Sequence, residues 1–123
     1  MKKLIPAILL CLPLAAVAEP LREIHNQKDF CQGLVQMSGF NSYLEQACGF
    51  NEGTHMKTAQ VYRQRCGKIF SRNQVTEYIN QVWDDSDMRI ARVGKETFCS
   101  ANRQGYLNAG RAMDEMMRQR QSR

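Results

Sequence analysis

From Asp29 onward the apolar positions of this chain fall at steps of three and four. Phe30, Leu34, Met37, Phe40, Leu44, Ala47 and Cys48 draw one stripe, which predicts a single helix of about twenty residues. Gly39 is its weak point, and the alternative is two short helices broken at Ser38-Gly39. Gly49 to Gly53 supplies a turn. A second helix is predicted from about Thr54 to Phe70, with Met56, Ala59, Tyr62, Cys66 and Ile69 on its inner face. Ser71 followed three residues later by Gln74 reads as a capping box and marks a fresh helix start. The stripe then continues through Val75, Ile79, Val82, Ser86, Ile90 and Val93, leaving Asp84, Asp85 and Asp87 outside it. A serine within an apolar stripe points to a close helix crossing, and Asp85 with Arg89 forms an i,i+4 pair worth roughly 0.3–0.5 kcal/mol on an exposed face. Gly94 and Gly105 are candidate interruptions. A shorter last helix is expected from Tyr106 to Met117, with Tyr106, Ala109, Ala112, Met113 and Met116 in step.

Strand-like alternation is almost absent, and the prolines stand only at positions 6, 13 and 20. The predicted class is all-α, a small bundle of three to four helices. No repeat appears, and the only biased segment is the Arg/Gln/Ser end after Met117.

The first residues change the picture of where the chain works. Met1-Lys2-Lys3 precedes an apolar run from Leu4 to Val17, and Ala16-Val17-Ala18 leads into Glu19-Pro20. A basic start, an apolar centre too short to span a bilayer and small residues at the cut together read as a cleaved signal peptide over 1–18. Leu9-Leu10-Cys11 is a poor lipobox, with leucine where a small residue belongs and apolar chain continuing beyond the cysteine. No downstream stretch is apolar over a spanning length, so no transmembrane segment is expected in the mature chain. The remaining 19–123 is one domain with room for a modest core.

Of five cysteines, Cys11 leaves with the signal. Cys31, Cys48, Cys66 and Cys99 remain, at gaps of 17, 18 and 33 residues with no Cys-x-x-Cys. That spacing disfavours a metal site or a thioredoxin-type redox site, and in an oxidising compartment it predicts two disulfides. If Cys31 and Cys48 share one helix they lie about 25 Å apart, far beyond the roughly 6 Å a disulfide spans. Folding the second helix back then favours Cys31 with Cys66 and Cys48 with Cys99. If the first helix breaks at Gly39, Cys31 with Cys48 becomes the natural hairpin staple.

Charge is unevenly placed. From Glu19 to Cys99 ten basic residues face ten acidic ones, whereas after Cys99 five arginines face only Asp114 and Glu115. The basic tail, about 118–123, suits an anionic surface such as lipid headgroups or an acidic protein, or is a solvated terminus. Nucleic acid is disfavoured, because the signal peptide removes the chain from it and no aromatics alternate with the arginines.

Candidate chemistry is thin. His25 and His55 are the only histidines, and the Asp84-Asp85-Ser86-Asp87 run lacks the glycine and distal glutamate of a calcium loop. The sequence holds no nucleophile elbow, phosphate loop or dinucleotide fingerprint. No cofactor, metal or catalytic residue is assigned. For partner binding the candidates are Trp83, as an exposed anchor or a stripe-edge core residue, and Tyr106, Arg111, Met113, Met116, Arg118 and Arg120 along the tail. The same methionine stripe reads at least as well as core. Size, export signal, helices and paired cysteines are similar in outline to periplasmic immunity proteins, secretion pilotins, enzyme inhibitors and acid-stress chaperones. The expectation is a periplasmic protein, or one secreted from the cell, that binds an unidentified protein partner without catalysis. The alternatives are an acid- or envelope-stress chaperone and a small enzyme.

Overall fold

The computed structural model describes residues 26–121. The segment read as a signal peptide (1–18), residues 19–25 and the last two residues of the basic tail lie outside them. Four helices follow in order: α1 (Gln27–Cys48), α2 (Thr54–Cys66), α3 (Arg72–Val93) and α4 (Lys95–Gln121).

Local chemistry sets most of the boundaries. Asn26 caps α1 by accepting the Asp29 N–H at 2.8 Å, and Gly49, at φ 74°, ends it by donating its N–H to the Glu45 carbonyl. Gly67, at φ 56°, stops α2 at Cys66, a turn earlier than the stripe to Phe70 predicts. The capping box is present in full, with Ser71 Oγ accepting from Gln74 N–H at 3.1 Å and Gln74 Oε1 accepting from Ser71 N–H at 2.9 Å. Gly94 alone separates α3 from α4.

Two expectations are corrected. The buried face of α2 carries Thr54, Thr58, Val61 and Cys66, while Met56 is 62% and Ile69 38% exposed. The threonines turn inward because their hydroxyls have partners: Thr58 Oγ1 donates to the Thr54 carbonyl at 2.8 Å. The last helix is also not short. It runs unbroken through Gly105 for 27 residues and carries the basic tail to Gln121. An exposed helical glycine costs only about 1 kcal/mol, less than buried Phe98, Tyr106 and Met113 hold together on either side of it.

The helices alternate in direction along the chain, yet neighbours in space are not always neighbours in sequence. α1 is the axle. α2 packs antiparallel on one side of it and α3 parallel on another, while α4 lies mainly along α2 and closes against α1 and α3. The backbones of α2 and α3 stay apart, with an open furrow of about 240 Å³ between them over Val35 and Ser38. Parallel α1 and α3 approach closely at Gly39, where a Cβ would stand 3.3 Å from Ile79.

Two apolar clusters fill the bundle, one at each end, and each is stapled. Leu34, Val35, Val61, Phe70 and Met113 surround the Cys31–Cys66 disulfide, and Tyr43, Leu44, Phe98 and Tyr106 gather beside Cys48–Cys99. The Cα–Cα distances are 5.8 and 5.6 Å. This is the pairing that an unbroken first helix favours.

Candidate protein-docking surface

The least buried helix is α3. Ser86 alone among its residues is fully buried, its Oγ donating back to the Val82 carbonyl at 2.8 Å; the close approach of α3 to α1 lies two turns earlier, at Ile79 against Gly39. Val75, Ile79, Val82 and Ile90 are half-buried, while Met88 is 61% and Val93 49% exposed. Three side chains fasten the helix to α1. Trp83 Nε1 donates to the Gly39 carbonyl at 3.0 Å and to Ser42 Oγ at 3.1 Å, its ring stands edge-on to Tyr43 at 5.1 Å, and the Tyr43 hydroxyl donates to Asp87 at 2.7 Å.

Along one flank of α3 runs a furrow. Its larger part, about 440 Å³, is lined by Met37 and Phe40 of α1 and by Val82, Asp85, Ser86 and Arg89 of α3. A second part, about 210 Å³, continues from Arg89 past Arg92 and Val93 to Thr97, Phe98 and Ala101 of α4. Phe40 and Phe98 meet edge-on at 6.3 Å below the junction. The α3 residues involved recur every three or four positions from Val82 to Val93, so the furrow follows the helix for about 17 Å at 1.5 Å per residue. Its floor is apolar and its rim polar, with Arg89 held by Asp85 at 2.9 Å across the rim.

The sequence matches no protein-family model, no curated protein and no solved structure.

A second concentration of polar groups lies at the start of α2. Glu45 accepts the Tyr106 hydroxyl at 2.7 Å and the His55 backbone N–H at 3.0 Å, and His55 Nδ1 stands 3.8 Å from the same carboxylate. The Thr54 N–H donates to Tyr106 Oη at 3.3 Å, and Asn41 Nδ2 donates to Thr58 Oγ1 at 3.3 Å. A glutamate, a histidine and a tyrosine together invite a catalytic reading, but the hydrogen bonds describe a helix cap. Gly53 at the N-cap has no side chain to cap with, so Glu45 and Tyr106 reach in from α1 and α4 to satisfy the first N–H groups of α2. No buried side-chain nitrogen or oxygen among the described residues lacks a hydrogen-bond partner, and no group of three or more acidic, histidine or cysteine side chains among them is placed to hold a metal.

The candidates from the tail separate by burial. Tyr106 and Met113 are each 1% exposed and belong to the two core clusters, which corrects their reading as docking residues: a side chain already closed in by three helices offers no area to a partner. Met116 is half-buried against the core, and Trp83 points its polar edge inward. Arg111, Arg118 and Arg120 are exposed, with Arg118 paired to Glu115 and Arg111 bonded to Asn108. The sequence missed the furrow's Met37, Phe40 and Phe98 as surface formers. The stripe positions of Met37 and Phe40 say only that they face neighbours, not that α3 stops short of covering them, and Phe98 precedes the helix expected from Tyr106.

Burial and the bond to Asp87 push the Tyr43 phenol up to about 12, and burial with the Glu45 bond raises Tyr106 as well. Both folded values lie above the ordinary tyrosine pKa of about 10, so the stability they contribute is fully present below about pH 10 and is lost as pH climbs through the folded values. Thermal melts at rising alkaline pH should therefore fall steeply between about pH 10 and 12. Tyr43→Phe should flatten part of that descent.

Proposed function

We propose that this protein, exported and oxidised, acts by docking a folded surface on another protein and performs no catalysis. The observation that carries this reading is the flank of α3, where an apolar furrow remains open along a helix that buries one residue fully. Its length along α3, apolar floor and polar rim suit an amphipathic helix of the partner laid against Met37, Phe40 and Val82, with Asp85 and Arg89 reading charge at the edge. Two disulfides and an export-type N-terminal sequence support an oxidising compartment, and among the described residues no helix is long and apolar enough to cross a membrane. An immunity, inhibitor or pilotin-like role is consistent with such docking.

A photo-crosslinking residue placed at Met37 or Val93, in cells that export the protein, should yield one discrete adduct. The adduct should disappear when Val82→Lys is added. The same probe at Ala112, exposed on α4, should yield none. Equal adducts from Ala112 defeat this reading, and a ladder of many clients that appears only at acid pH replaces it with the chaperone.

A further inference from the structure

The end of the bundle opposite the Cys48–Cys99 staple gathers cations from all four helices. The Cys31–Cys66 disulfide, the Gln27 Nε2 bond to the Arg65 carbonyl at 2.7 Å and the Arg65 Nη2 bond to the Met116 carbonyl at 3.4 Å hold three helix termini together there. α3 starts at the same end, because Phe70 and Val75 pack into the same cluster. Lys28 stands in the first turn of α1, Arg63 near the end of α2, Lys68 in the connection, Arg72 at the start of α3 and Arg120 at the end of α4. All five are exposed, and none has an ion-pair or hydrogen-bond partner among the described residues. Arg118, paired with Glu115, adds to them. Among the described residues the acids near this end are Asp29 on α1, Glu115 and Asp114 on α4, the latter paired with Lys57, and Glu77 one turn further along α3. Between Lys68 and Arg72 the connection presents Ile69, 38% exposed.

From this juxtaposition we infer that the basic end seats on an anionic membrane surface, with Ile69 as a shallow apolar contact. Two features select a lipid surface over an acidic protein. The cations are spread over four helices and one connection across a broad end, and of them only Arg63 borders the furrow between α2 and α3, so they match a laterally continuous sheet of phosphates. Among the described residues the exposed apolar side chain beside these cations, Ile69, sits on the connection between Lys68 and Arg72, where it reaches the headgroup layer as the basic residues do. The furrow along α3 lies on the bundle's side and remains open when the end is seated.

The test uses the full oxidised mature chain and sedimentation with vesicles. At about 0.05 M salt it should bind vesicles of phosphatidylcholine with about one-third phosphatidylglycerol and not vesicles of phosphatidylcholine alone, and about 0.5 M salt should release it. At about 1 kcal/mol per basic residue, converted at 1.4 kcal/mol per tenfold, Lys68→Ala with Arg72→Ala should weaken partitioning about 30-fold. Arg63→Ala with Arg120→Ala should do the same from the other side of the patch, so that no local effect of Arg72 on α3 decides the result. Ile69→Ser should weaken it further while leaving the melting temperature unchanged. Arg92→Ala with Lys95→Ala, at the opposite end, should leave it unaltered. Equal binding to both vesicle types, an equal loss from the opposite-end pair, or binding to soluble polyglutamate but to neither vesicle overturns the inference.

Discussion

Full reduction should unfold this protein at ambient temperature. The bridges close separations of 35 and 51 residues, and restricting the unfolded chain over loops of that size is worth about 4 kcal/mol each on the loop-closure estimate. The loops overlap between Cys48 and Cys66, so their joint effect is somewhat less than twofold. Even so, it is comparable to the ~5–15 kcal/mol that a domain commonly has in total. The two bonds should not yield together. Cys31 and Cys66 are 0% and 8% exposed, whereas Cys48 and Cys99 are half-buried. A titration with mild reductant, followed by alkylation and mass spectrometry, should trap a species alkylated at Cys48 and Cys99 first, still helical by circular dichroism. Helicity should collapse when the second bond goes. A fully reduced chain melting at the oxidised temperature contradicts this.

The second large effect belongs to Tyr106. Its ring is closed in by Phe50 at 5.1 Å and by the cluster around Leu44 and Phe98. Its hydroxyl joins α4 to the Glu45 carboxylate and the Thr54 N–H. Tyr106→Ala should cost ~3–5 kcal/mol through the cavity it leaves and the polar groups it strands. Tyr106→Phe keeps the ring and strands only the polar partners, which should cost ~1–3 kcal/mol. Pairing Tyr106→Phe with Glu45→Ala in a double-mutant cycle separates the hydroxyl–carboxylate bond from the ring, because each single variant removes that bond. Chemical denaturation of the four proteins gives the coupling. If Tyr106 served a partner instead, these variants would leave stability unchanged.

How far the sequence reaches depends on what kind of side chain carries the information. The stripe from Phe30 to Cys48 is long and mostly hydrocarbon, so it favoured α1 as one helix over a break at Gly39, and within one helix a Cys31–Cys48 bond is excluded on distance alone. The start of α3 was equally plain, because Ser71 and Gln74 satisfy each other locally and need nothing from the rest of the fold. The inner face of α2 was not legible. Thr54 and Thr58 count as polar along the chain and become interior only through hydrogen bonds: Thr54 Oγ1 donates to the Tyr106 carbonyl on α4, and Thr58 Oγ1 donates to the Thr54 carbonyl one turn back and accepts from Asn41 on α1. Gly105 misled for a related reason: glycine weakens an isolated helix, but tertiary packing of Tyr106 and Met113 decides whether it breaks. The furrow was the least legible feature. It is made by the space between α3 and its neighbours, and a stripe records contact without recording how complete that contact is.

The two bridges alternate along the chain, each with one end inside the loop that the other closes, and this arrangement governs how the protein bears tension. Pulled from Gln27 and Gln121, the shortest covalent path follows α1 for 21 steps to Cys48, crosses to Cys99 and runs 22 steps more. At about 3.5 Å per step that path is about 150 Å long, under half the roughly 330 Å of the reduced chain. The Cys48–Cys99 bond carries the whole load. Cys31–Cys66 offers only a detour back to Cys48 of nearly the same length as the direct route, so breaking it leaves the fully extended length unaltered. The buried bond is thus mechanically silent, and the more accessible one sets how far the chain can be drawn out.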